Sequence, residues 1–251
     1  MLTAERRRSI IQTLQRDGKV LASELSKNLH VSEDTVRRDL RELAAAGMLQ
    51  RVHGGALPRS PVTASFIERQ QQSSGAKAAI AFAAIKLIRQ DQVVIFDGGT
   101  SSLQVAQHLP RDLRVTVITH SPPIALALAE YPEIEVIMIG GRLDRHHLVA
   151  YGAATVEAYR NIRADLCFLG VGGLHPDIGI STPYLEESYV KRTMIASAAE
   201  VVALTSPEKL GTAAPYVVGP LSDLTHIVTE RSVPDEGLAA YRAQGITIIR
   251  A

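Results

Sequence analysis

The chain has 251 residues, of which 46% are hydrophobic, and its net charge is only +1. This length suits one large domain or two small ones with a substantial core. No apolar run approaches the roughly 20 residues that span a bilayer, the N-terminus lacks the apolar core of a signal peptide, and the single Cys167 excludes an internal disulfide. We therefore expect a cytoplasmic protein with no membrane partner.

The charge is unevenly distributed along the chain. Residues 1–60 contain 11 Lys and Arg against 7 Asp and Glu, whereas the remaining residues contain 16 against 19. A basic head on a mildly acidic body is typical of a DNA-binding domain attached to a sensor or assembly domain.

Two helices are predicted at the start of the chain. The first covers Thr3 to Asp17, and Ile10 and Leu14 lie on its buried side. Arg7, near its start, is available for a DNA phosphate or for plain solvation. The second is short, with a leucine at every fourth position of residues 21–30.

Residues 31–51, VSEDTVRRDLRELAAAGMLQR, predict a third, amphipathic helix. Ser32 is a suitable N-cap and Gly47 a suitable stop. The buried stripe of this helix consists of Val36, Leu40 and Leu43. Its outer face carries three arginines, Arg37, Arg38 and Arg41.

Two helices joined by a tight bend, the second basic on its outside, match a helix-turn-helix whose second helix enters the DNA major groove. An arginine can bind guanine through two parallel hydrogen bonds worth about 1–3 kcal/mol of discrimination. The sequence leaves open which arginine contacts a base and which a phosphate. Ser32 and Thr35 would lie near the groove, although Thr35 could equally be a packing contact.

The segment MLQRVHGGALP predicts a small β-hairpin after the third helix. His53, Gly54 and Gly55 form its tip, where glycine allows a tight turn and a close approach to DNA. His53 could contact a phosphate or cap the turn.

Residues 3–58 resemble the winged helix-turn-helix of the DeoR family of bacterial transcriptional regulators. The matching pattern is VSxxTVRRDLxxLxxxGxxxRxHGGA. The resemblance implies that residues 1–57 form a domain that binds double-stranded operator DNA. The implied DNA contacts come from Arg7, Ser32, Thr35, Arg37, Arg38, Arg41, His53, Gly54 and Gly55.

Residues 58–75 read as a linker rich in Pro, Ser and Gln. Pro58 and Pro61 resist helix formation, Phe66 and Ile67 are apolar enough to dock on the body, and no packing pattern is visible beyond them. The second domain is expected to cover residues 76–251.

In the body, short apolar strands alternate with helical segments. The predicted strands cover residues 92–96, 114–119, 135–139, 165–171, 201–205, 226–229 and 246–249. This alternation is typical of an α/β domain with a mostly parallel sheet covered by helices on both faces. Ligands of such sheets bind at the carboxyl ends of the strands.

The best candidate site is the sequence DGGTSS, residues 97–102, which follows a strand and opens a helix. Its glycines allow close approach of a ligand, its hydroxyls can donate hydrogen bonds, and a helix N-terminus favours an anion. A glycine-serine turn is also a common connection with no ligand.

Residues 77–229 look like the sensor domain of the same family, which is related in fold to ribose-5-phosphate isomerase and binds phosphorylated sugars. The resemblance carries over the positions Asp97, Gly99, Thr100, Ser101, Thr119, Gly140, Gly141, Gly152, Gly170, Glu187, Lys191, Arg192 and Lys209. We add His120, which stands where the family commonly has Asn. Arg142 belongs to a basic cluster with Arg145, His146 and His147, which could contact a phosphate or be a solvated loop. Thr205 stands where the family has Asp. Lys209 can place a cation beside a phosphate, or be an ordinary surface lysine.

The leading hypothesis is a repressor of a carbohydrate operon, released from DNA by a phosphorylated sugar or sugar acid. Two half-sites require at least a homodimer, or a homotetramer. We expect no cofactor, no metal and no catalysis. The alternatives are a sugar-phosphate isomerase or deaminase that uses Asp97, Glu186 or Glu187 and carries a DNA-binding head, and a head that makes protein contacts only.

Overall fold

The computed structural model describes residues 2–62, 64–72 and 74–251. Residue 1 of the expected head and residues 63 and 73 of the expected linker therefore lie outside the described residues. None of the described helices combines the length and the apolar character needed to cross a bilayer.

The head contains three helices and a small antiparallel sheet. In chain order its elements are α1 (Thr3–Asp17), β1 (Val20–Leu21), α2 (Ala22–Leu29), α3 (Glu33–Ala45), β2 (Gln50–Val52) and β3 (Gly55–Leu57). The sheet has the order β1-β3-β2, so that the central strand β3 pairs with both others. The strand β1 was not predicted from the sequence, because two residues give no periodic pattern.

The predicted stripe of α3 is confirmed. Val36, Leu40 and Leu43 are buried in the core of the head, where they pack with Ile10 of α1 and Leu25 of α2. Ser32 caps α3 by accepting a hydrogen bond from the Thr35 amide at 3.2 Å. The helix ends before Gly47, whose φ of 75° lies in the left-handed region.

The segment expected to be a linker contains one helix, α4 (Phe66–Gln71), and α5 (Ser74–Ile85) begins within it. Ser65 and Glu68 form a capping box at the start of α4. Phe66 is buried in the core of the body, as predicted, whereas Ile67 is 61% exposed.

The body is a seven-stranded sheet with helices on both faces. Its elements after α5 are β4 (Val93–Phe96), α6 (Thr100–Gln107), β5 (Val115–Thr119), α7 (Pro122–Leu128), β6 (Ile134–Met138), β7 (Arg142–Asp144), β8 (Val149–Tyr151), α8 (Ala153–Arg160), β9 (Ala164–Gly170), β10 (Gly173–His175), β11 (Gly179–Thr182), α9 (Leu185–Ala196), β12 (Ala198–Leu204), β13 (Tyr216–Gly219), β14 (His226–Thr229), α10 (Asp235–Arg242) and β15 (Thr247–Arg250). The large sheet has the order β15-β14-β12-β9-β4-β5-β6, and its pairs are parallel. The α/β class and all seven predicted strands are confirmed.

Side chains of each strand alternate between two cores. Val94 and Phe96 of β4 pack towards α5, α6 and α7, whereas Ile95 packs on the face covered by α8, α9 and α10. Cys167 is fully buried in this second core, and burial raises the pKa of its thiol, so it packs as a small hydrophobe.

Two antiparallel units were not predicted. β7 and β8 form a hairpin, and β10, β11 and β13 form a three-stranded sheet. Their strands have only three or four residues each, which is too short for a period of two to be distinguished from a loop. The loops after β4, β9 and β12 meet at the carboxyl end of the large sheet, where the candidate effector cavity lies.

Candidate functional site

The outer face of α3 is exposed and basic. The side chains of Arg37 and Arg38 are 59% and 77% exposed, and Arg41 is exposed as well. Arg37 donates to Glu33 at 2.8 Å and Arg38 to Glu42 at 3.3 Å. Such exposed ion pairs contribute little to stability, so both guanidiniums are available to another anion.

The predicted contact Arg7 has a different environment. Its Nε donates to the buried carboxylate of Asp39 at 3.0 Å, and another guanidinium nitrogen bonds to Glu42. Arg6 donates to the same carboxylate of Asp39 at 2.5 Å. Burial raises the pKa of Asp39, but the two arginines outweigh it and bring this pKa below its usual value. Arg7 thus ties α1 to α3, which does not favour its assignment to DNA.

The two glycines of the wing tip have different surroundings. His53 and Gly54 are exposed, and Gly54 has a φ of 78° in open space. Gly55 is buried in the sheet, and a methyl group at this position would overlap the carbonyl oxygen of Val20. Gly55 is therefore required by the packing of β3 against β1, rather than by an approach to DNA.

A cavity opens at the carboxyl end of the large sheet. Of the predicted effector residues, Gly99, Thr100, Ser101, Gly170, Glu187 and Lys209 line it. The inner part has a volume of about 40 Å³, and an outer part of about 230 Å³ shares Thr100, Ser101 and Lys209 with it. Gly99, with a φ of 145° that side chains rarely adopt, caps α6 and aims the helix start at the cavity.

A buried ion cluster forms one wall of this cavity. Lys191 of α9 bonds to Asp97 after β4, lies 3.1 Å from Glu187 one helical turn away, and donates to the Gly170 carbonyl at 2.7 Å. Burial lowers the pKa of Lys191, but the two carboxylates outweigh it and raise this pKa above its usual value. Burial raises the pKa of Asp97. The cluster thus holds one cation between two carboxylates.

His120 lies behind this cluster and outside the cavity lining. Its Nδ1 is 3.0 Å from the Tyr159 hydroxyl and its Nε2 is 3.9 Å from Asp97. Burial and the nearby Lys191 lower the pKa of His120 to about 3, so the ring is neutral at physiological pH. The residue supports the wall instead of contacting a ligand.

Six predicted effector residues do not line the cavity: Asp97 and His120, described above, and Thr119, Gly140, Gly141 and Arg142. Thr119 is buried and donates to the Phe96 carbonyl at 2.8 Å. The carbonyl of Gly140 accepts from Thr155 at 2.8 Å, and Gly141 leaves no room for a side chain beside Thr155. Arg142 is exposed at the start of β7. Thr119 and the two glycines have packing roles, and the structure does not favour their assignment to the effector.

Three further charged residues line the cavity: Arg69, His147 and Lys191. Of these, only Arg69 was not singled out from the sequence. The family resemblance covers Lys191, but nothing in the spacing placed it beside Asp97. His147 belongs to the basic loop after Gly141, and Arg69 comes from α4. Val62 of the linker also reaches the cavity.

Lys209 is not an ordinary surface lysine, because it lines the cavity. It is half-buried after β12, and burial together with the charge of Arg69 lowers its pKa to about 8. A phosphate bound there would restore this pKa towards its usual value, so anion binding is coupled to full protonation of Lys209.

Comparison with known families agrees with this architecture. The DeoR-like helix-turn-helix domain matches residues 6–61, and the DeoR C-terminal sensor domain matches residues 72–231. The chain belongs to the DeoR family of transcriptional regulators. It is therefore a DNA-binding regulator, as the sequence predicted.

Relatives of this DeoR-family regulator match over nearly the whole chain. The HTH-type transcriptional regulator GlpR of Haloferax volcanii is 33% identical and covers 99% of this chain and 98% of its own. A putative aga operon transcriptional repressor of Escherichia coli O157:H7 is 30% identical and covers 98% and 93%. The repressor GlcR of Bacillus subtilis is 31% identical and covers 92% and 90%. These relatives give no support to an isomerase or deaminase.

Among solved structures, ribose-5-phosphate isomerase A of Methanocaldococcus jannaschii is similar over 55% of each chain, with 16% identity and a TM-score of 0.40.

Proposed function

We propose that this DeoR-family regulator is a repressor whose affinity for operator DNA is controlled by a phosphorylated sugar or sugar acid bound in the cavity of the body. The observation that carries the proposal is the pairing of Thr100 and Ser101 at the start of α6 with Lys209 across the same cavity. Hydroxyls, a helix N-terminus and an ammonium group together suit a phosphate.

The opposite wall suits the remainder of such a ligand. Glu187 accepts a bond from Thr182, and Lys191 holds it in place. Burial raises the pKa of Glu187, but Lys191 outweighs it and brings this pKa below its usual value, so the group is a carboxylate. A carboxylate accepts hydrogen bonds from sugar hydroxyls and repels a phosphate, which orients the ligand.

The exposed face of α3 suits contacts with the major groove and the phosphate backbone of DNA. Ser32 and Thr35 stand at the start of α3, and Arg37, Arg38 and Arg41 follow on its exposed face. The names of the relatives from Escherichia coli and Bacillus subtilis favour repression. Two half-sites would be read by two heads, so we propose a homodimer or homotetramer joined through the bodies. Since operator DNA belongs to the chromosome, we propose that the regulator acts in the cytoplasm.

A thermal-shift screen tests the effector. The purified protein is heated with phosphorylated sugars and sugar acids, each beside its unphosphorylated partner. A ligand that binds only the folded state stabilises it by about 2.7 kcal/mol at a hundredfold excess over Kd. We expect hits that require the phosphate.

The variant Thr100→Val then tests whether ligand binding in the cavity controls binding to DNA. The variant should bind an operator fragment like the wild type and fail to respond to the hit. A normal response would remove the start of α6 from the site, and a panel without any hit would contradict the proposed effector class.

A further inference from the structure

The short helix α4, which belongs to the connection between head and body, is fixed to the body at its start. Phe66 is 2% exposed and packs in the core, and its amide donates to the His146 carbonyl at 2.8 Å. The capping box of Ser65 and Glu68 satisfies the free amides of the first turn. The helix is therefore a docked element and not a free tether.

The carboxyl end of α4 is fixed as well. Lys77 of α5 donates to the carbonyl of Arg69 and, at 2.5 Å, to that of Gln72. An ammonium group at this end donates hydrogen bonds to carbonyls that have no partner within the helix, and its charge interacts favourably with the negative end of the helix dipole. Both ends of α4 are thus held by the body, and Lys77 at its carboxyl end also lines the outer part of the cavity.

The side chain of Arg69 projects from this helix to the effector cavity. It lines the inner and the outer part together with Thr100, Ser101 and Lys209. Its buried Nε finds no hydrogen-bond acceptor among the described residues, whereas Arg6 and Arg7 of the head donate theirs to Asp39. A buried donor without an acceptor is destabilising, and an anion in the cavity would supply one.

The chain that follows the wing strand β3 is attached to two loops beside the cavity. The Pro58 carbonyl accepts from the Ala213 amide at 3.0 Å, and the Ser60 amide donates to the Ala213 carbonyl at 2.9 Å. The Ser60 hydroxyl donates to the Gly172 carbonyl at 2.7 Å. Gly172 lines the cavity, and Ala213 follows the loop of Lys209. Residues 58–62 therefore follow two loops of the cavity, and Pro61 and Val62 line its outer part.

We propose that Arg69 is a direct ligand of the effector's anionic group, so that the effector acts on the connection that carries the DNA-binding head. This inference rests on the proposed function and adds to it the residue through which the two domains are coupled. A ligand that binds Arg69 favours the arrangement in which α4 is docked. By linkage, it changes DNA affinity to the extent that DNA prefers another arrangement.

The test uses the full chain and inorganic phosphate as the probe, with chloride at matched ionic strength. The melting temperature is measured against phosphate concentration for the wild type, Arg69→Gln, Arg69→Lys and Lys209→Gln. Gln70→Ala is the matched control, since Gln70 is an exposed neighbour on the same helix outside the cavity lining. Hydrogen exchange of the amides in residues 66–72 is followed in parallel.

We expect Arg69→Gln to weaken phosphate binding by about tenfold or more, as expected for a lost hydrogen bond between charged groups. Arg69→Lys should lose less, because it keeps the charge, and Gln70→Ala should bind like the wild type. Phosphate should slow amide exchange in α4 of the wild type and of Lys209→Gln at saturation, and not in Arg69→Gln.

The outcomes separate the two proposals. If Arg69→Gln binds phosphate like the wild type while Lys209→Gln does not, Arg69 is no ligand and the cavity remains an anion site. If the wild type does not distinguish phosphate from chloride, both the role of Arg69 and the proposed effector class are overturned.

Discussion

The head and the body each contain a buried ion cluster, and the two have opposite compositions. In the head, one carboxylate, Asp39, is held by Arg6 and Arg7. In the body, one ammonium, Lys191, is held by Asp97 and Glu187. The head cluster lies between α1 and α3, whereas Glu187 and Lys191 of the body cluster line a cavity.

The difference shows how the surroundings decide the role of a charge. The head cluster joins two helices, and Arg37, Arg38 and Arg41 stay exposed on the outer face. The body cluster places an excess of negative charge on one wall of the cavity. A bound anion is therefore confined to the other wall, beside Lys209.

Removing the cation of the body cluster should have the largest effect. Lys191→Met leaves two buried carboxylates without their partner, and we expect the body to lose about 3–5 kcal/mol of unfolding free energy. Urea unfolding of the body measures this loss. Arg160→Met on α8 is the control, because its pair with Glu157 is about two-thirds exposed. A loss below about 1 kcal/mol for Lys191→Met, the level of an exposed pair, would contradict the cluster's role.

The head cluster should be somewhat less sensitive. Asp39→Asn leaves the nearly buried Arg6 without its carboxylate, but Arg7 keeps Glu42. We expect a loss of about 2–3 kcal/mol from the stability of the head, below the range for a fully buried pair. Thermal unfolding of the full chain, followed by a probe in the head, measures it.

The pH dependence of the same variant provides the check. Because the pKa of Asp39 is lowered in the folded state, its stabilisation is present above the unfolded value of about 3.9 and disappears as the pH falls through the lower folded value. The difference between wild type and Asp39→Asn should therefore shrink in acid. A difference that stays constant to low pH would show that the stability loss of Asp39→Asn does not come from the ion pairs of Asp39.

His120 extends the comparison to a neutral group. Since its pKa is about 3 in the folded state and about 6.5 unfolded, the unfolded chain binds an extra proton between these values and stability falls as the pH falls. We expect about 2 kcal/mol of loss between pH 7 and pH 5 from this residue. His120→Asn should lack that share of the pH dependence. Equal slopes for both proteins would mean that the ring binds protons alike in the folded and the unfolded chain, so that folding does not shift its pKa.

The smallest effect on stability is expected at the exposed arginines. Arg38→Ala removes a pair whose guanidinium is 77% exposed, so the unfolding free energy should change by less than about 1 kcal/mol. Binding to an operator fragment should weaken strongly, and the slope of log affinity against log salt should fall by about one if the contact is a phosphate. Unchanged operator affinity would remove Arg38 from the interface.

Local patterns predicted the elements that are long and periodic. The stripe of α3 and the seven strands of the large sheet follow from spacing alone, since each buries a regular series of side chains. The start of α4 was also visible, because Ser65 and Glu68 form the S-x-x-E signature of a capping box. The interpretation of this segment as a linker rests on Pro58 and Pro61 and does not use that signature, so it misses the helix and its Arg69.

Other features depend on contacts between distant residues and leave no local pattern. Lys191 and Asp97 meet because β4 and β9 pair and α9 crosses behind them, and no spacing encodes that meeting. Gly55 looked like a glycine for DNA approach, but only the pairing of β3 with β1 shows why a side chain is excluded. The family resemblance indicates effector positions but not how deeply each side chain is buried. It therefore does not show that Thr119 and His120 lie outside the cavity lining.

The order of strands in the large sheet also determines how the body can fold. β4 pairs with β5 and with β9, and β9 begins about 70 residues further along the chain, so one edge of β4 stays open until that distant strand arrives. Pairings between distant segments form slowly, and an open apolar edge is prone to aggregation. The head has its own core and emerges first during synthesis. A nascent chain can therefore present a folded head while its sensor is still incomplete, and slower synthesis at low temperature should raise the yield of native protein.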